Sequence, residues 1–101
     1  MLSVIIPCFN EEKLVKKSFL EIEKALQLSK ISKYEIIFID DGSKDKSYLI
    51  IKKLSKKNKN IKIIKNMKNY GIGYNFFKGV KISKGKYLIQ IPADNSHPSK
   101  E

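Results

Sequence analysis

Four short apolar runs alternate with three amphipathic stretches along the chain. Residues 2–6 (Leu-Ser-Val-Ile-Ile), 34–39 (Tyr-Glu-Ile-Ile-Phe-Ile), 61–65 (Ile-Lys-Ile-Ile-Lys) and 86–91 (Lys-Tyr-Leu-Ile-Gln-Ile) are rich in β-branched and aromatic residues, which predicts strands. The first two are nearly continuous in apolar character, as strands of a parallel sheet buried on both faces are. Between them, Val15, Phe19, Ile22 and Leu26 recur at helical spacing and predict a helix over about 11–28. Asn10 stands at its expected N-cap, and Glu11 and Glu12 suit the positive end of its dipole. Ser47, Ile50, Ile51 and Leu54 predict a second helix over about 44–57. Its lysine cluster (Lys52, Lys53, Lys56, Lys57, Lys59) reads as a solvated outer face and a helix C-terminus. Ile72, Phe76 and Val80 predict the apolar stripe of a third helix over about 72–83, with Gly85 as a stop signal. The order β-α-β-α-β-α-β implies right-handed crossovers and a parallel, doubly wound α/β sheet. Ligands of such sheets bind beyond the carboxyl ends of the strands. Attention therefore falls on Pro7–Glu12, Asp40–Asp45, Asn66–Gly73 and Pro92–Pro98.

Composition narrows the class. The 101 residues, 42% hydrophobic and 31% charged, suit one globular domain. No apolar run approaches a membrane span, and the N-terminal run lacks the basic lead of a signal peptide. The single cysteine, Cys8, rules out an internal disulfide and fits a reducing compartment, so a cytoplasmic location or the cytoplasmic face of a membrane is expected. All basic residues are lysine, and the formal net charge is +11. Lysine, isoleucine and asparagine together are what an AT-rich coding sequence favours, so much of the charge reads as a solvated surface. The alternative is an anionic partner. Arginine, whose fork suits phosphate and guanine, is absent, so no nucleic acid is expected; a weak attraction to anionic lipid is the better fit.

The four segments hold the candidate chemistry. After the first run, Pro7 ends the strand, Phe9 can stack on a planar base, and Glu11 can accept hydrogen bonds from one; a plain strand-to-helix turn is the competing reading. Cys8 has no histidine near it in sequence and reads as structural. After the second run, Asp40 and Asp41 are adjacent carboxylates at a buried strand end, costly there unless solvated or bound. One can cap the next helix, and the other can accept a base N–H or ribose hydroxyls. Gly42 permits the turn. After the third, Gly71-x-Gly73 lacks the placement of a dinucleotide fingerprint. It reads as a loop of backbone N–H groups at a helix N-terminus, with Lys68 near a diphosphate, or as an ordinary turn. After the fourth, Asp94 stands where a divalent cation bound to a diphosphate would sit, and Mg²⁺ or Mn²⁺ is held by such carboxylates. His97, the only histidine, reads as structural or solvated.

Taken together, Pro-x-Phe-Asn-Glu, then Asp-Asp-Gly-Ser-x-Asp, Asn-x-Gly-x-Gly, and Gly-x-Tyr-Leu before an Asp-containing turn resemble the family 2 glycosyltransferases of GT-A fold. The ending Ala93-Asp94-x-Ser96-His97-Pro98 looks most like the branch that moves a hexose onto polyprenyl or dolichyl phosphate. The resemblance implies a Rossmann-like α/β fold and a nucleotide-sugar donor. It implies base contacts from Pro7, Phe9 and Glu11, and a wall and carboxylate at Ile39 and Asp41 with Asp40 in support. Ala93 and Asp94 match the end of an Asp-x-Asp motif, with Asp94 meeting Mg²⁺ or Mn²⁺ and the donor diphosphate. Pro92 replaces the first Asp of that motif, which leaves Asp94 as its sole carboxylate. The acceptor would be a lipid phosphate or a glycan, and the transfer inverting. The family places its general base and acceptor site in a second half, so residues 1–101 are expected to be a single nucleotide-sugar-binding domain truncated at its C-terminus, with little activity alone and its catalytic residues unassigned. The full-length protein would associate with a membrane surface. Competing readings are a non-catalytic nucleotide-binding module and a basic α/β domain that binds nucleic acid or anionic membrane.

Overall fold

The computed structural model describes residues 1–91. Its elements are β1 (Leu2–Cys8), α1 (Val15–Leu28), β2 (Tyr34–Asp41), α2 (Ser47–Lys57), β3 (Ile61–Asn66), α3 (Ile72–Ile82) and β4 (Tyr87–Gln90). The four strands form one parallel sheet in the order β3-β2-β1-β4. The chain steps outward from β1 to β3, then α3 carries it back across β1 to β4. Right-handed crossovers therefore put α1 and α2 on one face and α3 on the other. This is the Rossmann-like α/β arrangement that the alternation of runs predicts.

Pro7 does not end β1: the strand pairs with β2 through Cys8. The odd residues of β1 bond toward β4, as the Ile91 N–H to Ile5 carbonyl bond (2.9 Å) shows. Pairing with β4 stops at Ile5–Gln90. The N–H that Pro7 lacks therefore points where no strand needs it. Helix α1 starts at Val15, not near residue 11, and Asn10 is not its cap. Asn10 instead takes a left-handed backbone (φ 50°) and joins another loop.

The two faces of the sheet are packed differently. On the α1/α2 face, Val4, Ile6, Ile36 and Phe38 meet Val15, Phe19, Ile22, Leu26, Ile51 and Leu54 in a continuous apolar core. The rings of Phe19 and Phe38 lie 6.0 Å apart. On the α3 face, among the described residues, the buried apolar cluster is Ile5, Ile37 and Ile39. A polar network closes each end of that face. Helix α3 approaches closely because Gly79 lies on Ile5, where a Cβ would fall 2.7 Å from the Ile5 Cδ1. The predicted stripe of α3 is thus inverted: Asn75 and Gly79 face the sheet, while Ile72, Phe76 and Val80 are exposed. Gly85 is not the helix stop either, since α3 ends at Ile82 with Ser83 extended. Gly85 is small because its Cα packs on Ser3, and its N–H donates to Ser3 Oγ (2.8 Å).

Candidate functional site

The strand tips of β1, β2 and β3 carry three loops that are tied together by side chains. The first tie joins the β1–α1 turn to the β2–α2 turn. Asn10 N–H donates to Ser43 Oγ (2.9 Å), and Lys44 N–H donates back to Asn10 Oδ1 (2.8 Å). Glu11 N–H donates to Ser47 Oγ (2.9 Å), and Glu12 N–H to Asp45 Oδ2 (3.1 Å). The other oxygen of Asp45 accepts Ser47 N–H (2.9 Å), which caps the start of α2. Burial opposes ionisation of Asp45, but the Ser47 and Glu12 hydrogen bonds outweigh it and hold its pKa low. The helix after β2 is therefore capped by Asp45 and not by either member of the Asp40–Asp41 pair.

The second tie runs from β2 to α3. Asp41 accepts Tyr70 N–H at Oδ1 (2.8 Å), Gly71 N–H at Oδ2 (3.0 Å) and Asn66 Nδ2 at Oδ1 (3.0 Å). Asn66 Nδ2 also donates to Asn75 Oδ1 (2.7 Å), and Lys78 Nζ donates to Asn66 Oδ1 (3.2 Å). Burial raises the pKa of Asp41, yet these donors prevail and hold it below the ordinary carboxylate value. The anion-cradle reading of the 66–73 loop is corrected here. Two of its N–H groups already hold an anion, and that anion is Asp41, at the N-terminus of α3.

Strand alternation turns Asp40 the other way, onto the α1/α2 face beside Cys8. It is fully buried, and neither carboxylate oxygen has a hydrogen-bond partner. Asp40 and Asp41 therefore do not share one surface. Cys8 is buried, and that burial pushes its thiol up to about 12, so it is a structural residue and no nucleophile at neutral pH.

Of the remaining sequence candidates, Pro7 and Ile39 are buried at the tips of β1 and β2, Phe9 is 44% exposed, and Glu11 is half-buried. Lys68 is exposed, its Nζ 5.4 Å from the Tyr70 ring centre. The structure thus gathers Pro7, Phe9, Glu11, Ile39, Asp41 and Lys68 at the carboxyl ends of adjacent strands. Pro92, Ala93, Asp94 and His97 lie outside the described residues. Among the described residues no three His, Cys, Asp or Glu side chains converge as metal ligands, and no helix is long and apolar enough to cross a membrane. Reading the sequence missed Asn66, Asn75 and Asp45. The four-residue spacing of Gly71, Asn75 and Gly79 was the signal that this side of α3 faces the sheet.

Gly42 fixes the distance between the loops. It has φ +79°, and a Cβ there would lie 2.5 Å from the Lys68 carbonyl carbon. Gly42→Ala is expected to destabilise the chain by about 2 kcal/mol, from the left-handed backbone together with a backbone clash. Urea unfolding checks this; a loss below about 0.5 kcal/mol would mean that the loops do not press together.

Comparisons with known proteins agree with this fold. The model of glycosyl transferase family 2 matches residues 3–101. The chain is 34% identical over 96 residues to the dolichol-phosphate mannosyltransferase of Pyrococcus furiosus, covering 95% of this chain and 26% of that protein. It is 36% identical over 108 residues to the dolichyl-phosphate β-glucosyltransferase of Dictyostelium discoideum, covering 99% of this chain and 32% of that protein. The chain spans between 26% and 40% of the length of these and the other curated relatives described. Among solved structures, S. aureus TarS 1–349 in complex with UDP superposes with a TM-score of 0.75 at 27% identity, over 92% of this chain and 27% of that one. The mannosyltransferase PcManGT of Pyrobaculum calidifontis, in complex with GDP-Man and Mn²⁺, shares the fold with a TM-score of 0.79 at 17% identity, over 98% of this chain and 29% of that one. With the family model matching nearly every residue and GT-A glycosyltransferases sharing the sheet, the chain belongs to glycosyl transferase family 2.

Proposed function

We propose that this chain is the donor-binding part of a hexosyltransferase that moves a sugar from a nucleoside diphosphate onto a lipid phosphate. The observation that carries the reading is the joined set of loops at the tips of β1, β2 and β3, which brings Phe9, Glu11, Asp41 and Lys68 to one end of the sheet beside Pro7 and Ile39. In this reading Phe9 stacks on the base, Pro7 and Ile39 form the wall behind it, and Glu11 accepts from it. Asp41 meets the base only by exchanging one of the N–H bonds it now accepts, and Asp40 supports the strand end from the opposite face. Lys68 neutralises charge on the diphosphate. Asp94 would hold Mg²⁺ or Mn²⁺, which supplies positive charge to the departing diphosphate. The acceptor oxygen forms a bond to the anomeric carbon as the bond to the diphosphate breaks, with inversion. A lipid phosphate is already anionic and needs little help from a base. The similarity to dolichyl-phosphate transferases supports that acceptor class, and the similarity to TarS bound to UDP-GlcNAc supports the donor class.

Residues 1–101 form, in this reading, one donor-binding domain of a longer protein that works at the cytoplasmic face of a membrane. Calorimetry of the chain with UDP-GlcNAc and GDP-Man, with and without Mn²⁺, tests donor binding. Binding of at least one donor is expected, tighter with the metal and weakened on the order of tenfold or more in Asp94→Asn. Absence of binding to any sugar nucleotide, or binding indifferent to Mn²⁺ and to Asp94, would overturn the reading.

A further inference from the structure

Consecutive N–H groups of the β1–α1 turn are each held by a side chain of the next loop. Asn10 N–H meets Ser43 Oγ at 2.9 Å, Glu11 N–H meets Ser47 Oγ at 2.9 Å, and Glu12 N–H meets Asp45 Oδ2 at 3.1 Å. Lys44 N–H donates back to Asn10 Oδ1 at 2.8 Å. Asn10 has φ 50°, the left-handed region in which asparagine is one of the few side chains to settle readily. With these N–H groups engaged, what Phe9 and Glu11 offer at the strand tips is their side chains. Phe9 is 44% exposed, so the direction of its ring depends heavily on the backbone beside it. The partner loop is itself fixed. Gly42 presses on the backbone of Lys68 and Asn69, and Asp45 Oδ1 accepts Ser47 N–H at the start of α2. The β2–α2 loop is thus the rigid reference from which the first turn hangs.

We propose that Asn10 and Ser43 are positioning residues for the donor: their reciprocal bonds hold the turn bearing Phe9 and Glu11 in place beside the tip of β2 that bears Ile39 and Asp41. The inference rests on the reading of these strand tips as a donor site, and it adds two residues that act through Phe9 and Glu11. The physical reason is preorganisation. Without the pair the turn samples more backbone states, and binding must order it again. Both bonds lie at the surface, where water can replace a lost partner, so their loss falls on binding more than on folding. Helix capping does not account for them, since α1 begins at Val15 and α2 is capped by Asp45.

The chain has no tryptophan, so Phe9→Trp places a single reporter on the turn. In that background, with no donor present, Ser43→Ala and Asn10→Gly are each expected to lower the time-resolved anisotropy of the indole. Ser43→Thr keeps the hydroxyl and should leave it unchanged. Asn10→Gly still permits the left-handed backbone and removes the side-chain acceptor. With Phe9 restored, calorimetry with UDP-GlcNAc and GDP-Man in Mn²⁺ is expected to find affinity about tenfold weaker in Ser43→Ala and Asn10→Gly. Ser43→Thr should stay within about twofold of the parent chain, as should Ser55→Ala, which removes a hydrogen bond to the Lys52 carbonyl on α2. In Phe9→Ala the further loss from Ser43→Ala should shrink to about threefold or less, because the two changes act through one ring. An undiminished loss there would mean that Ser43 touches the donor itself, and would overturn the inference. So would an indole held as firmly in the variants as in the parent, or a freed indole with unchanged donor affinity; each leaves the donor reading standing. A parent chain that binds neither donor overturns the donor reading, and this inference with it.

Discussion

Asp41→Ala is expected to lower the stability of the chain by about 3–5 kcal/mol, one of the two largest single effects in this fold. The carboxylate is 4% exposed and accepts from Tyr70 N–H, Gly71 N–H and Asn66 Nδ2. Truncation leaves all three donors facing one another away from water, and each unsatisfied group costs about 1–3 kcal/mol. Asn75 and Lys78 are drawn in through Asn66, so the loss reaches the packing of α3 on β1 and β2. Asp41→Asn separates shape from charge. It has nearly the same volume, but its NH₂ replaces one acceptor and must face an N–H donor, and the expected loss is about 2 kcal/mol. Urea unfolding of the chain measures both. If Asp41→Ala cost less than about 1 kcal/mol, water would have to be reaching the α3 N-terminus freely, and Asp41 would not be what holds the loop. Donor binding should fall with stability in the alanine variant, because the same loop carries Lys68.

This double engagement of Asp41 shows where the sequence was legible and where it was not. The strands were plain because β1 and β2 are continuous apolar runs, and only a strand buried on both faces reads that way. The order of elements dictated the crossovers, and the crossovers dictated which tips would adjoin. Adjacent carboxylates at Asp40 and Asp41 were visible, but their directions were not. A period of two sends neighbours to opposite faces, so one became the cap of a helix thirty residues downstream and the other was buried without a partner. Helix α3 misled for a related reason. Periodicity shows that a helix has an apolar side, not which way the side faces, and polar networks at both ends of the sheet had already claimed the inner surface for Asn75 and Gly79. Asn10 failed as a cap because its hydrogen bonds run to Ser43 and Lys44, residues that local sequence rules cannot see.

The second large effect lies at the opposite end of the sheet, at a residue the strand pattern marks only as a polar interruption of β2. Glu35 is 5% exposed. Its Oε1 pairs with Lys62 Nζ (2.7 Å), and its Oε2 accepts from Ser3 Oγ (2.5 Å) and Lys84 N–H (2.5 Å). Lys62 Nζ also donates to the Ile82 carbonyl (3.2 Å), so one buried carboxylate ties β1, β2 and β3 to the end of α3. Burial pushes its pKa up, but Lys62, Ser3 and the Lys84 N–H more than compensate, and it falls from the ordinary 4.5 to about 2. A carboxylate whose folded pKa is depressed stabilises fully above its unfolded value, here 4.5, and loses that contribution as the pH falls toward 2. The shift corresponds to about 3 kcal/mol at neutral pH. Glu35→Gln keeps the shape and removes the charge, leaving Lys62, 35% exposed, to find water. Near neutral pH the variant is expected to be about 2–3 kcal/mol less stable than the parent chain, and at about pH 3 the gap should have narrowed by more than half. Asp41 and Asp45, whose pKa values are also depressed, titrate in the same sense in both proteins, so the difference between the two isolates Glu35. Urea midpoints of both chains across this range make the measurement. A gap that stayed constant with pH would mean that the ion pair with Lys62 contributes nothing, and that Glu35 acts through the shape of its hydrogen bonds alone.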